Sequence, residues 1–209
     1  MPPESLSSDE YRELTQRFMA SAQAHHHSAE HCSVNPCKEK VFVGDAYLHI
    51  VAFELFLLSI EQSLRLLCLL YTKERPRKSN HDIWALYKKL TRIDNNSKNI
   101  ENQIVDAMNR ARKTDETKPF TVKEIQTFLR KNKNAYSSTR YFWVTSKGEI
   151  SPGFKVSVRA KQSIVYLSLI LIVLGVMEMY RQGVEMIDPE KLGLFSEMNG
   201  IQKGVQQDL

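Results

Sequence analysis

Glu54, Glu61 and Arg65 stand seven and then four residues apart in the strongly apolar stretch 45–71. On a helix those steps place all three side chains along one stripe. Glu61 lies four residues before Arg65, the favourable order for a helical ion pair. In so apolar a segment the pair would be partly buried, and a buried pair needs further partners. Arg140 or His81 could supply one to Glu61 or Glu54. Such groups can also do no more than pin the register of a core helix.

A second grouping is His25, His26, His27, His31, Cys32 and Cys37, six side chains within 13 residues. Imidazole and thiolate are zinc ligands, which makes His25, His27, His31, Cys32 and Cys37 the metal candidates. Their spacing fits no finger or ribbon, and no second ligand pair follows downstream. The reading is therefore no metal and a solvated helix end.

A third grouping is cationic. Lys73, Arg75, Arg77 and Lys78 are followed by Lys88, Lys89 and Arg92. Further on, Arg130, Lys131, Lys133 and Arg140 lie beside Tyr136, Tyr141, Phe142 and Trp143. Basic residues interleaved with aromatics suit single-stranded nucleic acid, through phosphate contact and base stacking. The same pattern also describes a solvated face beside core aromatics. No glycine-rich phosphate loop, dinucleotide fingerprint or Gly-x-Ser-x-Gly elbow is present, so no cofactor is expected.

The elements that must position these groups read as helices. Ser7-Ser8-Asp9-Glu10 is a helix start, and the helix is expected to end near residue 24, with 25–44 as a His-containing loop. Asp45 opens a long central helix to about Tyr71. Asn80 caps a helix from His81 to about Thr91, with Trp84, Leu86, Tyr87 and Leu90 apolar. Another helix spans about Lys98–Lys113, with Ile100, Ile104, Ala107 and Ala111 on one face. Thr121-Val-Lys-Glu124 is a capping-box pattern opening a helix to about Ser137. An irregular or hairpin insertion is expected near 139–153, then a helix over about Val156–Gln182 and a short one from Asp188-Pro189-Glu190. The expected units are 1–44, a helix and loop packing on the bundle; 45–185, the bundle; and 186–209, a short helix and tail.

The chain has 209 residues, 42% hydrophobic and 25% charged, which excludes collagen, a coiled-coil rod and disorder throughout. That length supports one domain, or at most two small ones. Only 8 Gly and 7 Pro argue for helices over a turn-rich β fold. The net charge of +5 is uneven: residues 73–113 hold 11 basic and 5 acidic side chains, and residues 118–161 hold 10 and 2. That distribution fits a polyanionic partner. Three cysteines and no signal pattern point to a reducing cytoplasm. Residues 164–177 are apolar but short of the roughly 20 a membrane span needs, so no membrane is expected.

Glu61-Gln-Ser-Leu-Arg65, a short basic loop and His81-Asp82-Ile83 resemble the HEPN superfamily, small helical bundles of prokaryotic toxin, defence and nucleotide-handling proteins. Members commonly carry Glu-x-x-Leu-Lys and then a His-Asp-Leu-type helix start. Here Arg65 stands in place of Lys and Ile83 in place of Leu. Arg140-Tyr141 resembles the Arg-Tyr pair ahead of the family's last long helix. The resemblance covers roughly residues 45–182. It implies an up-and-down all-α bundle, a cytoplasmic homodimer, and RNA or a nucleotide as ligand in a stress or defence setting. A separately encoded protein partner is also compatible with it.

Catalytic members of that family carry Arg, four to six residues, then His, and Arg75-x5-His81 has that form. The resemblance implies His81 as general acid/base and Arg75 as the cation stabilising phosphate charge in a metal-independent ribonuclease. Two departures favour a non-catalytic module. Pro76 follows Arg75 where the family has a polar residue, and the pattern precedes the middle helices instead of lying on a late one. A helical scaffold that binds only protein is the third alternative.

Overall fold

Ser7 opens the first helix through a reciprocal cap: its hydroxyl accepts the Glu10 N–H (3.3 Å) while the Glu10 carboxylate accepts the Ser7 N–H (3.1 Å). The chain is seen in a computed structural model that describes residues 6–34, 45–75, 81–93, 97–111, 118–133 and 158–185. Among these residues it is an all-α bundle of six helices with no strand. The insertion expected near 139–153, the terminal helix from Asp188, and Arg77, Lys78, Asn80, Arg140 and Tyr141 lie outside the described residues.

Helix α1 is Ser8–Val34. It continues through the histidines that were expected to form a loop from residue 25. The reason is burial at helical spacing: Ala22, His26 and Ala29, at steps of four and three, all face the bundle. The first helix-breaking residue is Pro36.

Helix α2, Asp45–Thr72, is the centre, as its composition requires. Phe53, Phe56, Leu57, Ile60, Leu64 and Leu67 are all at most 5% exposed. It packs most extensively on α1, then on the last helix, α6 (Val158–Arg181), and on α3 (Ile83–Ile93). Gly175 lets α6 approach α2 and α1 closely. A Cβ there would stand 2.8 Å from Leu66 Cδ2 and 3.1 Å from Met19 Cε.

The shorter helices complete the ring. Asp82 caps α3: its side chain accepts the Ala85 N–H (2.9 Å) and its carbonyl the Leu86 N–H (3.0 Å). α4 is Ser97–Ala111 and buries Ile100, Ile104, Val105 and Met108, whereas Ala107 is half-buried and Ala111 exposed. α5 is Val122–Lys131, with Thr121 and Glu124 forming the expected capping box. Arg159 of α6 ties this end together. It bonds Glu124 (3.1 Å) and the Lys118 and Pro119 carbonyls, and lies 4.0 Å over the Phe120 ring.

At the opposite end of the long helices, Lys73 takes a left-handed backbone (φ 58°) just after α2. Its ammonium reaches the Tyr11 hydroxyl (2.8 Å) and the Gln182 side chain, joining α1, α2 and α6. Residues 159–181 contain an 18-residue window of mean hydropathy 2.1 and are long enough to cross a membrane, longer than the 164–177 core seen in the sequence. Of the window that meets this test, 56% is buried inside the bundle. Leu169, Val173, Met177 and Tyr180 form its exposed side.

Candidate functional site

The Glu61 carboxylate is 2% exposed, in the middle of α2, and an arginine and a histidine converge on it. Arg65 Nε donates to Glu61 Oε1 at 2.9 Å, and Arg65 is itself 6% exposed. From the start of α3, His81 Nδ1 lies 3.1 and 3.3 Å from the two Glu61 oxygens. The expected ion pair therefore exists, and His81 is its further partner. The His81 side chain is 56% exposed, so an imidazole oriented by a buried carboxylate is presented at the surface. Such an arrangement suits proton transfer in geometry. Glu54 lies outside this cluster, and its Oε1 has no hydrogen-bond partner among the described residues.

Arg75 does not join His81. Its guanidinium bonds Glu10 of α1 at 2.9 Å, so the two residues of the Arg-x5-His pattern have separate partners.

One to three turns along α3, the basic residues gather round an indole. Trp84 is half-buried and lies nearly parallel to Tyr87, with ring centroids 6.0 Å apart and planes at 20°. Lys88 Nζ is 5.6 Å and the Arg130 guanidinium carbon 5.2 Å from its centroid. Beside them opens a cleft of about 330 Å³ lined by Ala85, Lys88, Lys89, Arg92 and Ile93. Lys89 is held by Glu74 at 3.2 Å. Lys131 and Lys133 are exposed at the end of α5. The structure thus assembles Lys88, Lys89, Arg92 and Arg130 from two separated stretches of sequence. Trp84, an apolar position of α3, packs against the core with one part of its ring and meets Lys88 and Arg130 with another.

Among the described residues the metal candidates do not assemble. His25 Nδ1 lies 2.7 Å from the Ser21 carbonyl, and His27 Nδ1 lies 3.8 Å from Glu30. Among the described residues, no three of His, Cys, Asp or Glu come together to hold an ion. Cys37 is outside them.

One buried polar chain escaped the sequence reading. Ser59 of α2 donates to the Ala22 carbonyl, and Ser168 of α6 donates to Ser59, each at 2.8 Å. The Ser168 oxygen is then left to accept from His26 Nδ1, also at 2.8 Å. His26 Nε2 lies 3.4 Å from Glu30, and its ring meets Phe56 edge-on. Burial holds His26 below the usual imidazole range, against the opposing pull of Glu30. Because Ser168 gives its proton to Ser59 and accepts from His26, the imidazole is not placed as a base for either serine, and both serines are 0% exposed. Serines inside apolar helices were the only sequence sign of this chain, and nothing in the spacing joins residues 142 positions apart.

Two other buried groups are inert for the same physical reason. Burial pushes the Cys68 thiol up to about 11, with its sulfur on the Leu86 carbonyl. The Tyr87 phenol is pushed up by burial and then by the nearby Glu101 carboxylate, although among the described residues no group meets its hydroxyl at hydrogen-bond geometry.

No family model, curated protein or solved structure matches the chain.

Proposed function

We propose that this chain is a HEPN-like helical module that binds RNA or a nucleotide through the basic face of α3 and α5. The observation that carries this reading is Lys88 and Arg130 over the Trp84 ring, beside an open cleft lined by Lys88, Lys89 and Arg92. A surface of that kind attracts phosphate and releases counterions when it binds. The resemblance of 45–182 to prokaryotic defence modules supplies the setting.

The test is affinity for a short oligoribonucleotide as salt is raised. Log affinity falls linearly with log salt, and Lys88→Ala with Arg92→Ala lowers the slope by about 0.7 for each phosphate contact removed. No binding at low salt overturns the reading.

A second reading, metal-independent RNA cleavage, is favoured by the Glu61–His81 contact, which orients an exposed imidazole. His81 would move the proton, with Glu61 holding the ring. Arg75, the cation that the resemblance pairs with His81, would first have to leave Glu10. Cleavage without added metal that disappears in a folded His81→Ala variant supports it, and cleavage unchanged in that variant ends it.

A further inference from the structure

The aromatics at 136–143 that the sequence sets beside its cations lie outside the described residues, and within these the aromatic under Lys88 and Arg130 is Trp84. We propose that Trp84 is a stacking platform for one unpaired base, which makes single-stranded RNA the ligand class of the basic face. The inference rests on the RNA-binding reading above and adds what that reading leaves open, the form of the ligand.

Trp84 is prepared for this role. Its ring lies against Tyr87 with planes only 20° apart, and the start of α3 beneath it is fixed by the Asp82 cap. A base that docks on it therefore meets a plane already in place, and little ordering is required. Arg130 and Lys88 now stand over the indole at 5.2 and 5.6 Å. A base inserted between the indole and the guanidinium needs two stacking gaps, roughly 7 Å in all at about 3.4 Å each. Arg130 must then swing outward by about 2 Å, and as an exposed, long side chain it is free to do so.

The balance of interactions favours that exchange. An exposed cation–π contact is worth roughly two- to fivefold in an equilibrium constant. A stacked base is worth roughly five- to 150-fold. The displaced cations are not lost either, because a strand brings phosphates to receive them. Lys88 and Arg92 follow Trp84 on the same side of α3 at steps of four, about 6 Å apart along the axis. From the cleft wall their side chains reach along one strand's backbone. A duplex keeps its bases stacked inside and offers phosphates alone. It would gain from the lysines and arginines and nothing from the indole.

The experiment compares labelled oligouridine with an RNA duplex of equal length at one low salt concentration, by anisotropy. Trp84→Leu, which keeps an apolar side chain on the core, is expected to weaken the single strand about five- to 150-fold and the duplex less than about twofold. Lys88→Ala is expected to weaken both. Should Trp84→Leu lose its helical circular dichroism, a Trp143→Phe variant decides, because Trp84 is then the sole tryptophan. Its emission is expected to be quenched by unlabelled oligouridine and unchanged by duplex. Equal losses for both ligands, no loss for the single strand, or unquenched emission overturns the platform and leaves the basic face standing. Failure of the unaltered protein to bind either RNA overturns both.

Discussion

A carboxylate as enclosed as Glu61 has lost nearly all its water, and the groups around it must replace that hydration. Arg65 at 2.9 Å and His81 at 3.1 Å do so. Arg65 is almost as enclosed, so each charge depends on the other. Glu61→Ala removes from the core the carboxylate that the Arg65 guanidinium pairs with, and the expected cost is about 3 kcal/mol or more in urea unfolding. Glu61→Gln, which keeps a hydrogen-bond acceptor of the same size, is expected to cost less. A Glu61→Ala change below about 1 kcal/mol would show that Arg65 does not depend on this carboxylate for its compensation. The pair was legible in the sequence because both residues lie on one helix at a spacing that geometry dictates. The His81 contact, across 20 residues, appeared there only as one of two options. The Ser59–Ser168 contact, across 109 residues, had no local signature at all.

Among the elements, the helices that show in the sequence are those whose periodicity and caps agree. Thr121 with Glu124 is such a case, and the apolar run that makes up α2 shows by its composition alone. The second half of α1 was not legible, because three consecutive histidines read as solvated while one of them, His26, is buried by α2 and α6. Tertiary contact, not local preference, carries the helix onward there. Tertiary contact also determines Gly175, an unfavourable residue in mid-helix by propensity alone. Its value is the close approach: a Cβ would stand 2.8 Å from Leu66 and 3.1 Å from Met19. Gly175→Val adds two further methyl groups in that gap. It is expected to destabilise the protein by about 1–3 kcal/mol through overpacking, despite removing a helix glycine. The check is a denaturant midpoint beside that of Gly175→Ala, where the propensity gain and the contact oppose each other. A Gly175→Val protein as stable as the unaltered one would mean that α6 does not rest on Leu66 as closely as the geometry states.

For the whole molecule, the buried titrating groups set the pH range in which the bundle is most stable. His26 is held below its ordinary value of 6.5, first by burial. Above that value both folded and unfolded chains carry it neutral. As pH falls through 6.5 the unfolded chain takes the proton first, and stability declines until the folded protein is protonated too. Glu178 adds a second loss further into acid. Its hydrogen bond from Arg181 holds it below 4.5, so its contribution is complete above 4.5 and lost as pH drops beneath that. On the alkaline side Cys68 works in the opposite sense. Its thiol is raised from 9.0 to about 11, so the unfolded chain ionises first and stability falls as pH rises past 9.0. Net charge tilts the acid side in the same direction, since a chain with pI near 9.0 repels itself more as it gains protons. The expected profile is a plateau between about 6.5 and 9, the ordinary values of those two groups, with a decline on each side. His26→Asn separates the specific effect from the general one, because its amide still donates to Ser168 but does not titrate. Urea midpoints at pH 7.5 and 5.5 should draw closer together in that variant than in the unaltered protein. The same gap in both would remove His26 from the account and leave net charge to explain the acid decline.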